Sequence, residues 1–310
     1  MSNPPRIIAS IDVGSNSIQL TIAAVSATAV SIIRREKSNA RLANEIDASG
    51  YLSEKAIEAA THVVSEYVTV AKTQNAEVRI AGTAALRRAC NRHLFTARVM
   101  ADCGVFVKVI DGLDEARLIR AGVLFGLPDL ETRSALCVDV GGGSTEISMG
   151  RGAQISMATS IAVGGLSVQR RLTSGGRVSG HAAKKAKRFL EKRFRDVVKP
   201  IRQFDFDYAV ATGGTIQRLA KIVRQRRGRP DQSIDGMVLS SAEIEACCAL
   251  IMAAKSPAER LDIPGMDPTR AEHLLGGALI FQSLGQHVGI ENWTVSLSAM
   301  RTGVLVSPAW

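Results

Sequence analysis

The chain has 310 residues, 46% of them hydrophobic and 22% charged, and 39 lysines and arginines against 29 acids leave a net charge of +10. That length is about two domains at roughly 150 residues each, and the composition is globular rather than disordered. The basic balance favours polyanionic partners, whether nucleic acid, nucleotide or inorganic polyphosphate, and does not choose among them.

The longest apolar run, "ACCALIMAA", is far short of a bilayer crossing, and "MSNPPRIIAS" lacks a signal-peptide pattern. A cytoplasmic protein without a membrane partner is therefore expected. Five cysteines, an odd number with no C-x-x-C spacing, argue against a disulfide framework and a zinc ribbon. Five histidines show no i, i+4 pair for a metal.

In chain order, residues 6–25 read as two strands joined by the turn "DVGSNS", with a third strand at "VSIIRR". Residues 52–74 carry Ile57, Ala60, Val64, Tyr67 and Ala71 at helical spacing, with Ser53 as N-cap. "EVRIAGTAALRRACN" runs from strand to helix, and "VFVKVIDGLDEARLIRAGVLFG" repeats the pattern with a turn at Asp111–Gly112. Alternating strands and helices predict α/β layers with ligand loops at strand ends.

The polar, proline-containing stretch 127–134 is the linker candidate, giving domains 1–126 and 127–310, with a return of the last residues onto the first domain left open. Beyond it come the strand-turn-strand "ALCVDVGGGSTEISMG" and a basic helix over 181–202 with Ala186, Phe189, Phe194, Val197 and Ile201 inward. Next are the strand-loop-helix "YAVATGGTIQRLAKIV" and a helix at 239–254 with a Ser240/Glu243 capping box. A helix over 270–285, a strand at "NWTVSLS" and the segment "AMRTGVLV" end the chain.

"IDVGSNSIQL" and "VDVGGGSTEI" align without a gap, 127 positions apart, placing Asp12 on Asp139, Gly14 on Gly141 and Ser17 on Ser144. Duplicated domains, each opening on such a hairpin and facing the other across a cleft, would explain the match. A Gly/Ser-rich turn can point successive N–H groups into one anion-binding concavity, and it can equally be an ordinary hairpin. Three such turns, "DVGSNS", "DVGGGST" and "ATGGT", favour phosphate binding together.

Asp12 and Asp139 end their strands. Each fits an Asx turn, or a ligand, direct or through water, for a Mg²⁺ that bridges phosphates. Glu146 offers a second metal-side carboxylate. Asp114 and Glu115 suit a helix's first turn on dipole grounds alone. A carboxylate there would also serve to deprotonate water, and spacing does not separate the two. Arg87 or Arg88 could grip a phosphate bidentately. "KKAKRFLEKRFR" and "RQRRGR" read as solvated faces or as a guiding track for a long anion.

"IDVGSNS", "TAALRRA", "IDGLDEARL", "VDVGGGSTE", "AVGG" and "ATGGT" together resemble the exopolyphosphatase / guanosine pentaphosphate phosphohydrolase family of the actin-hsp70-sugar kinase superfamily, over essentially the whole chain. The resemblance implies two duplicated ribonuclease H-like (actin-like ATPase) domains with an interdomain active-site cleft. It implies release of terminal orthophosphate from inorganic polyphosphate or guanosine pentaphosphate with Mg²⁺ (or Mn²⁺). Glu115 matches the water-activating glutamate and Arg87 the cleft arginine. Asp139 and Glu146 match the metal-side acids. Asp12, Gly14, Ser15, Asn16 and Ser17 match the first phosphate loop, Gly141, Gly142, Gly143, Ser144 and Thr145 the second, and Gly213, Gly214 and Thr215 the third.

"SAMRTG" stands where relatives commonly show a pattern like "DGALREG", a departure that leaves the contacts there open. Longer relatives add helical C-terminal domains that extend the substrate channel and support dimers, so lower processivity is expected of this shorter form; a homodimer stands separately among the expected partners. Low aromatic content, 4%, offers few stacking platforms for nucleic acid, which is not an expected partner. A non-catalytic polyphosphate or nucleotide sensor is the contrasting reading, opposed by the intact acids.

Overall fold

A computed structural model describes residues 4–174, 177–254, 256–308 and 310. The chain divides into two units, Met1–Gly122 with Met300–Trp310 and Val123–Ala299.

Unit 1 is built from β1 (Arg6–Val13), β2 (Ile18–Val25), β3 (Val30–Ser38), α1 (Glu54–Thr73), β4 (Glu77–Gly82), α2 (Ala84–Arg88), α3 (Arg92–Cys103), β5 (Val107–Val109) and α4 (Gly112–Gly126), whose last residues enter unit 2. Its sheet runs β3-β2-β1-β4-β5, antiparallel from β3 to β1 and parallel from β1 to β5. Strand period sets the two faces. Ala9, Ile11 and Val13 point into a core with Ile57, Val64 and Tyr67 of α1 and Phe95 and Val99 of α3. The alternate residues Ile8, Ser10 and Asp12 lie on the opposite face, across from Ala23, Thr21 and Gln19 of β2. Ser53 caps α1, accepting from Ala56 N at 3.2 Å, as its position before the periodic run predicts.

Unit 2 continues with β6 (Ser134–Val140), β7 (Thr145–Arg151), β8 (Gln154–Ile161), α5 (Gly165–Leu172), the short pair β9 (Thr173–Ser174) and β10 (Arg177–Val178), α6 (Gly180–Gln203) and β11 (Tyr208–Thr212). Then follow α7 (Gly214–Arg226), β12 (Val238–Ser240), α8 (Ser241–Ala253), α9 (Pro257–Leu261), α10 (Leu274–Val288) and β13 (Asn292–Val295). The sheet order is β12-β13-β11-β6-β7-β8. Removing the added edge strand β12 leaves the order and strand directions of unit 1, with β6 in the place of β1.

The two units are therefore copies of one actin-like, ribonuclease H-like α/β fold. The alignment of Asp12 with Asp139 falls on equivalent strands, and the rung Asp12–Gln19 corresponds to Asp139–Glu146.

Trp293, fully buried and edge-on to Phe281 with ring centroids 5.3 Å apart, anchors the unit 2 core. The capping box of α8 forms, with Glu243 N on Ser240 Oγ at 3.2 Å and Ser240 N on Glu243 Oε2 at 2.9 Å. Residues 127–134 are folded into unit 2 rather than extended. Pro128–Thr132 makes a 3-10 turn that buries Leu130, and Gly152 lies against the Glu131 backbone. Proline at a first helical position explains why a linker-like composition gave a turn. The segment "AMRTGVLV" is a helix, α11 (Met300–Val306), and belongs to unit 1.

Candidate active site

In unit 2 the loop from β6 to β7 is closed by Gly141 N donating to Ser144 O at 3.0 Å. Behind it stands the start of α5. Gly165 N donates to Gly141 O at 2.9 Å and Leu166 N to Gly142 O at 3.0 Å. In a trans peptide the N–H points opposite the C=O, and the described residues contain no cis bond. Anchoring those two carbonyls on α5 therefore turns the N–H groups of Gly142 and Gly143 to the other side, as successive donors in a nest. The approach is close because residue 164 is glycine. A Cβ there would lie 2.5 Å from Gly142 C and 2.6 Å from Gly143 N.

Unit 1 repeats this construction. Gly14 N donates to Ser17 O at 3.1 Å, and the backing segment supplies Ala43 N to Ser15 O and Arg41 N to Asn16 O, both at 3.0 Å. By the same peptide geometry the N–H groups of Asn16 and Ser17 face away from that segment. The backing here is a 3-10 turn, Leu42–Asn44, rather than an α-helix.

The third loop adjoins the second. Gly213, at φ +88°, precedes α7, and a Cβ on it would fall 2.4 Å from Asp139 Oδ1. Only glycine lets the start of α7 come so near that carboxylate. The N-cap of α7 is glycine, which has no side chain to occupy the N–H groups of the first turn, and a helix N-terminus of this kind suits an anion. Thr212 is buried and donates to Ser296 O at 3.1 Å.

Glu146 is 3% exposed and accepts from Ser160 Oγ at 2.7 Å, opposite Asp139 on β6. Among the described residues no group of three or more His, Cys, Asp and Glu could hold a metal. A pair of carboxylates on one rung nevertheless suits Mg²⁺, which keeps several waters and is usually held by one or two carboxylates plus phosphate.

Asp114 and Glu115 are distinguished by their surroundings. Asp111 accepts from Asp114 N at 2.8 Å and starts α4. Asp114 pairs with Arg117 one turn along, at 2.9 Å. Glu115 is 8% exposed and is held by Arg87 Nη1, which also donates to Ile110 O at 3.2 Å. Burial raises the Glu115 proton affinity above the usual carboxylate range, and the Arg87 charge and hydrogen bond oppose that only in part. Arg88, the other arginine of "LRR", is exposed. Asp12 is affected by the same neighbourhood: desolvation pushes it up to about 7, Arg301 acts against the rise and Glu115 adds to it.

The structure thus gathers Asp12, Glu115, Arg87 and the first loop in unit 1, and Asp139, Glu146 and the second and third loops in unit 2. Thr145 does not offer its hydroxyl to a ligand, being fully buried and donating to Val163 O at 2.7 Å. Gly14 and Gly141 spend their N–H groups inside the hairpins. On α6 the apolar stripe faces inward, and Lys184, Lys185, Arg188, Lys192 and Arg195 are exposed.

Sequence reasoning missed the glycine pair Gly276–Gly277. A Cβ on Gly276 would lie 2.2 Å from Gly165 O, and one on Gly277 would lie 2.4 Å from Thr215 Oγ1, so α10 presses on the backing of both loops. Two adjacent glycines inside the apolar run "HLLGGALI" were the available signal. Arg301 was missed as well.

The sequence pattern of the Ppx/GppA phosphatase family matches residues 21–309. The chain belongs to that family. Among solved structures, the Aquifex aeolicus member of the Ppx/GppA family is 28% identical over 99% of this chain and 98% of that one, with a TM-score of 0.84. An exopolyphosphatase from Cytophaga hutchinsonii shares the fold at a TM-score of 0.87, with 24% identity over 97% and 96% of the two chains. The family consists of phosphatases. Among the described residues no helix is long and apolar enough to cross a membrane.

Proposed function

We propose that this Ppx/GppA family member is an exopolyphosphatase, releasing terminal orthophosphate from inorganic polyphosphate with Mg²⁺ or Mn²⁺. The observation that carries the reading is Glu115, a buried carboxyl fixed by Arg87 at the first turn of α4, whose raised proton affinity makes it a better base near neutral pH than an exposed glutamate. Water attacks the terminal phosphorus, its proton passes to Glu115, the phosphoanhydride P–O bond breaks, and the shortened chain leaves as the anion. Phosphoryl transfer asks little covalent chemistry of a protein and much positioning.

The N–H groups of Gly142 and Gly143, the first turn of α7, and in unit 1 those of Asn16 and Ser17 are assigned to phosphate oxygens. Asp139 and Glu146 would hold the divalent ion, which when bound neutralises phosphate charge. The net charge of +10 and the exposed cations of α6 suit a long anion, whose affinity should fall steeply with salt.

The test supplies purified protein with long-chain polyphosphate, short polyphosphate and guanosine pentaphosphate, with Mg²⁺ and with EDTA. Orthophosphate from the long chain, lost in EDTA, is expected. Release from guanosine pentaphosphate alone would replace the substrate assignment, and release from none would remove the hydrolase reading.

A further inference from the structure

The hairpins of the two units repeat each other in backbone but differ in the rung beside them. Asp139 faces a second carboxylate, Glu146, whereas Asp12 faces the amide of Gln19. Two carboxylates on one rung repel, and a cation relieves them; a carboxylate opposite an amide has no such need.

In unit 1 a guanidinium already stands at the rung. Arg301 Nη1 donates to Gln19 Oε1, and the Arg301 charge counteracts the upward push on Asp12. The helix that brings it lies along the face bearing Ile8, Ser10 and Asp12. Leu305 packs on Ile8 and Ala23, and Arg301, one turn earlier in α11, reaches the Asp12 end.

The placing of α11 is over-determined. At Gly303 a Cβ would lie 1.9 Å from Leu118 O, so the helix runs against the α4 backbone. Arg79, 5% exposed, donates from Nη1 to Val304 O at 2.7 Å and Ser307 O at 3.0 Å, satisfying carbonyls at the helix end.

We propose that Arg301 is the built-in cation of unit 1: beside the Asp12–Gln19 rung it takes the role that the Asp139–Glu146 rung leaves to a divalent ion, so only one of the two copies binds metal. Arg301 is then a positioning residue, whose charge favours the ionised form of Asp12 against the push of burial, and delivering it is the task of α11. The inference rests on the metal assignment in unit 2 made above, but its test needs no turnover.

The full-length chain is titrated with Mn²⁺ alone, and free ion is followed by electron paramagnetic resonance. One bound ion is expected for the wild type, none for Asp139→Asn/Glu146→Gln, and two for Gln19→Glu/Arg301→Met. Gln19→Glu alone, which keeps Arg301, should bind one, and this variant decides the matter if the double one does not fold. Arg301→Met should retain one Mn²⁺ while losing tenfold or more in kcat, and Arg301→Lys should recover most of that loss. No ion in the wild type, one ion in a folded Gln19→Glu/Arg301→Met, two in Gln19→Glu, or loss of the wild-type ion in Asp12→Asn would each overturn the proposal. A chain that binds one Mn²⁺ as described but releases no orthophosphate would end the exopolyphosphatase reading and leave this one standing.

Discussion

Gly164→Ala tests whether the backing of the glycine loop matters as its geometry implies. The added Cβ meets Gly142 C at 2.5 Å, Gly142 O at 2.6 Å and Gly143 N at 2.6 Å, against the 3.4–4 Å of ordinary contact. All three atoms are backbone, so no rotamer change relieves the overlap of about 1 Å. Either α5 backs away from the loop or the loop moves outward. The first route stretches the two hydrogen bonds from Gly165 and Leu166, at 2.9 and 3.0 Å. Overpacking of this kind costs about 1–3 kcal/mol, and a 1 Å misplacement of a positioning group costs about 10²-fold in rate. Thermal unfolding and steady-state phosphate release are the assays. A drop of several degrees in Tm together with a fall of about 10²-fold in kcat/KM is expected. Gly180→Ala is the control, because its Cβ meets nothing within 4 Å, and it should leave both measurements almost unchanged. Wild-type kcat/KM in a folded Gly164→Ala protein would refute the claim that α5 holds the loop's donors in place.

Glu115→Gln keeps the shape and removes the base, so kcat should fall by about 10²-fold or more while binding of substrate, measured by equilibrium titration, changes little. Asp12→Asn should show a pH-dependent stability gain in EDTA. The unfolded carboxyl ionises near 3.8 and the folded one near 7, so its stabilising contribution is complete below about pH 4 and is lost as pH rises through 7. The variant has no proton to lose, and its urea midpoint should therefore gain on the wild type between pH 4 and 7. The ceiling is about 4 kcal/mol, reduced by the solvent that reaches this partly exposed group. A pH-independent difference would contradict that account. Arg79→Met strips the carbonyls at the end of α11 of their donor and should cost about 2–4 kcal/mol, with protease cleavage near residue 300 appearing first.

Much of this was legible in the sequence because each signal is local. The cap at Ser53, the inward stripe of α1 and the capping box of α8 depend on residues within one or two turns, and all three form. The duplication was legible because a hairpin ten residues long carries its own register, Asp12 to Gln19 and Asp139 to Glu146. Information carried by distant partners was not legible. Nothing near "DEARL" says that Glu115 rather than Asp114 meets Arg87, 28 residues earlier. Thr145 has the right residue type and place in the loop, yet its hydroxyl turns to Val163, because a buried strand start must satisfy its polar groups internally. Arg301 lies 282 residues from Gln19, and no periodicity spans that separation.

Duplication also explains why the site residues differ between copies that share a backbone. A hairpin whose carbonyls are anchored from behind presents donors to an anion whatever its side chains are, so both loops inherit that property together. The side chains beside each loop are then free to diverge. In unit 2 the rung keeps two acids, Asp139 and Glu146, and the neighbouring α7 start adds further donors, which fits a holder of metal and phosphate. In unit 1 the rung has one acid and gains Arg301, while α4 brings a further carboxylate, the buried Glu115 paired with Arg87. Two carboxyls of this copy, Asp12 and Glu115, are raised by burial and opposed by the charges of Arg301 and Arg87, so the copy without an acid pair on its rung holds two carboxyls of raised proton affinity.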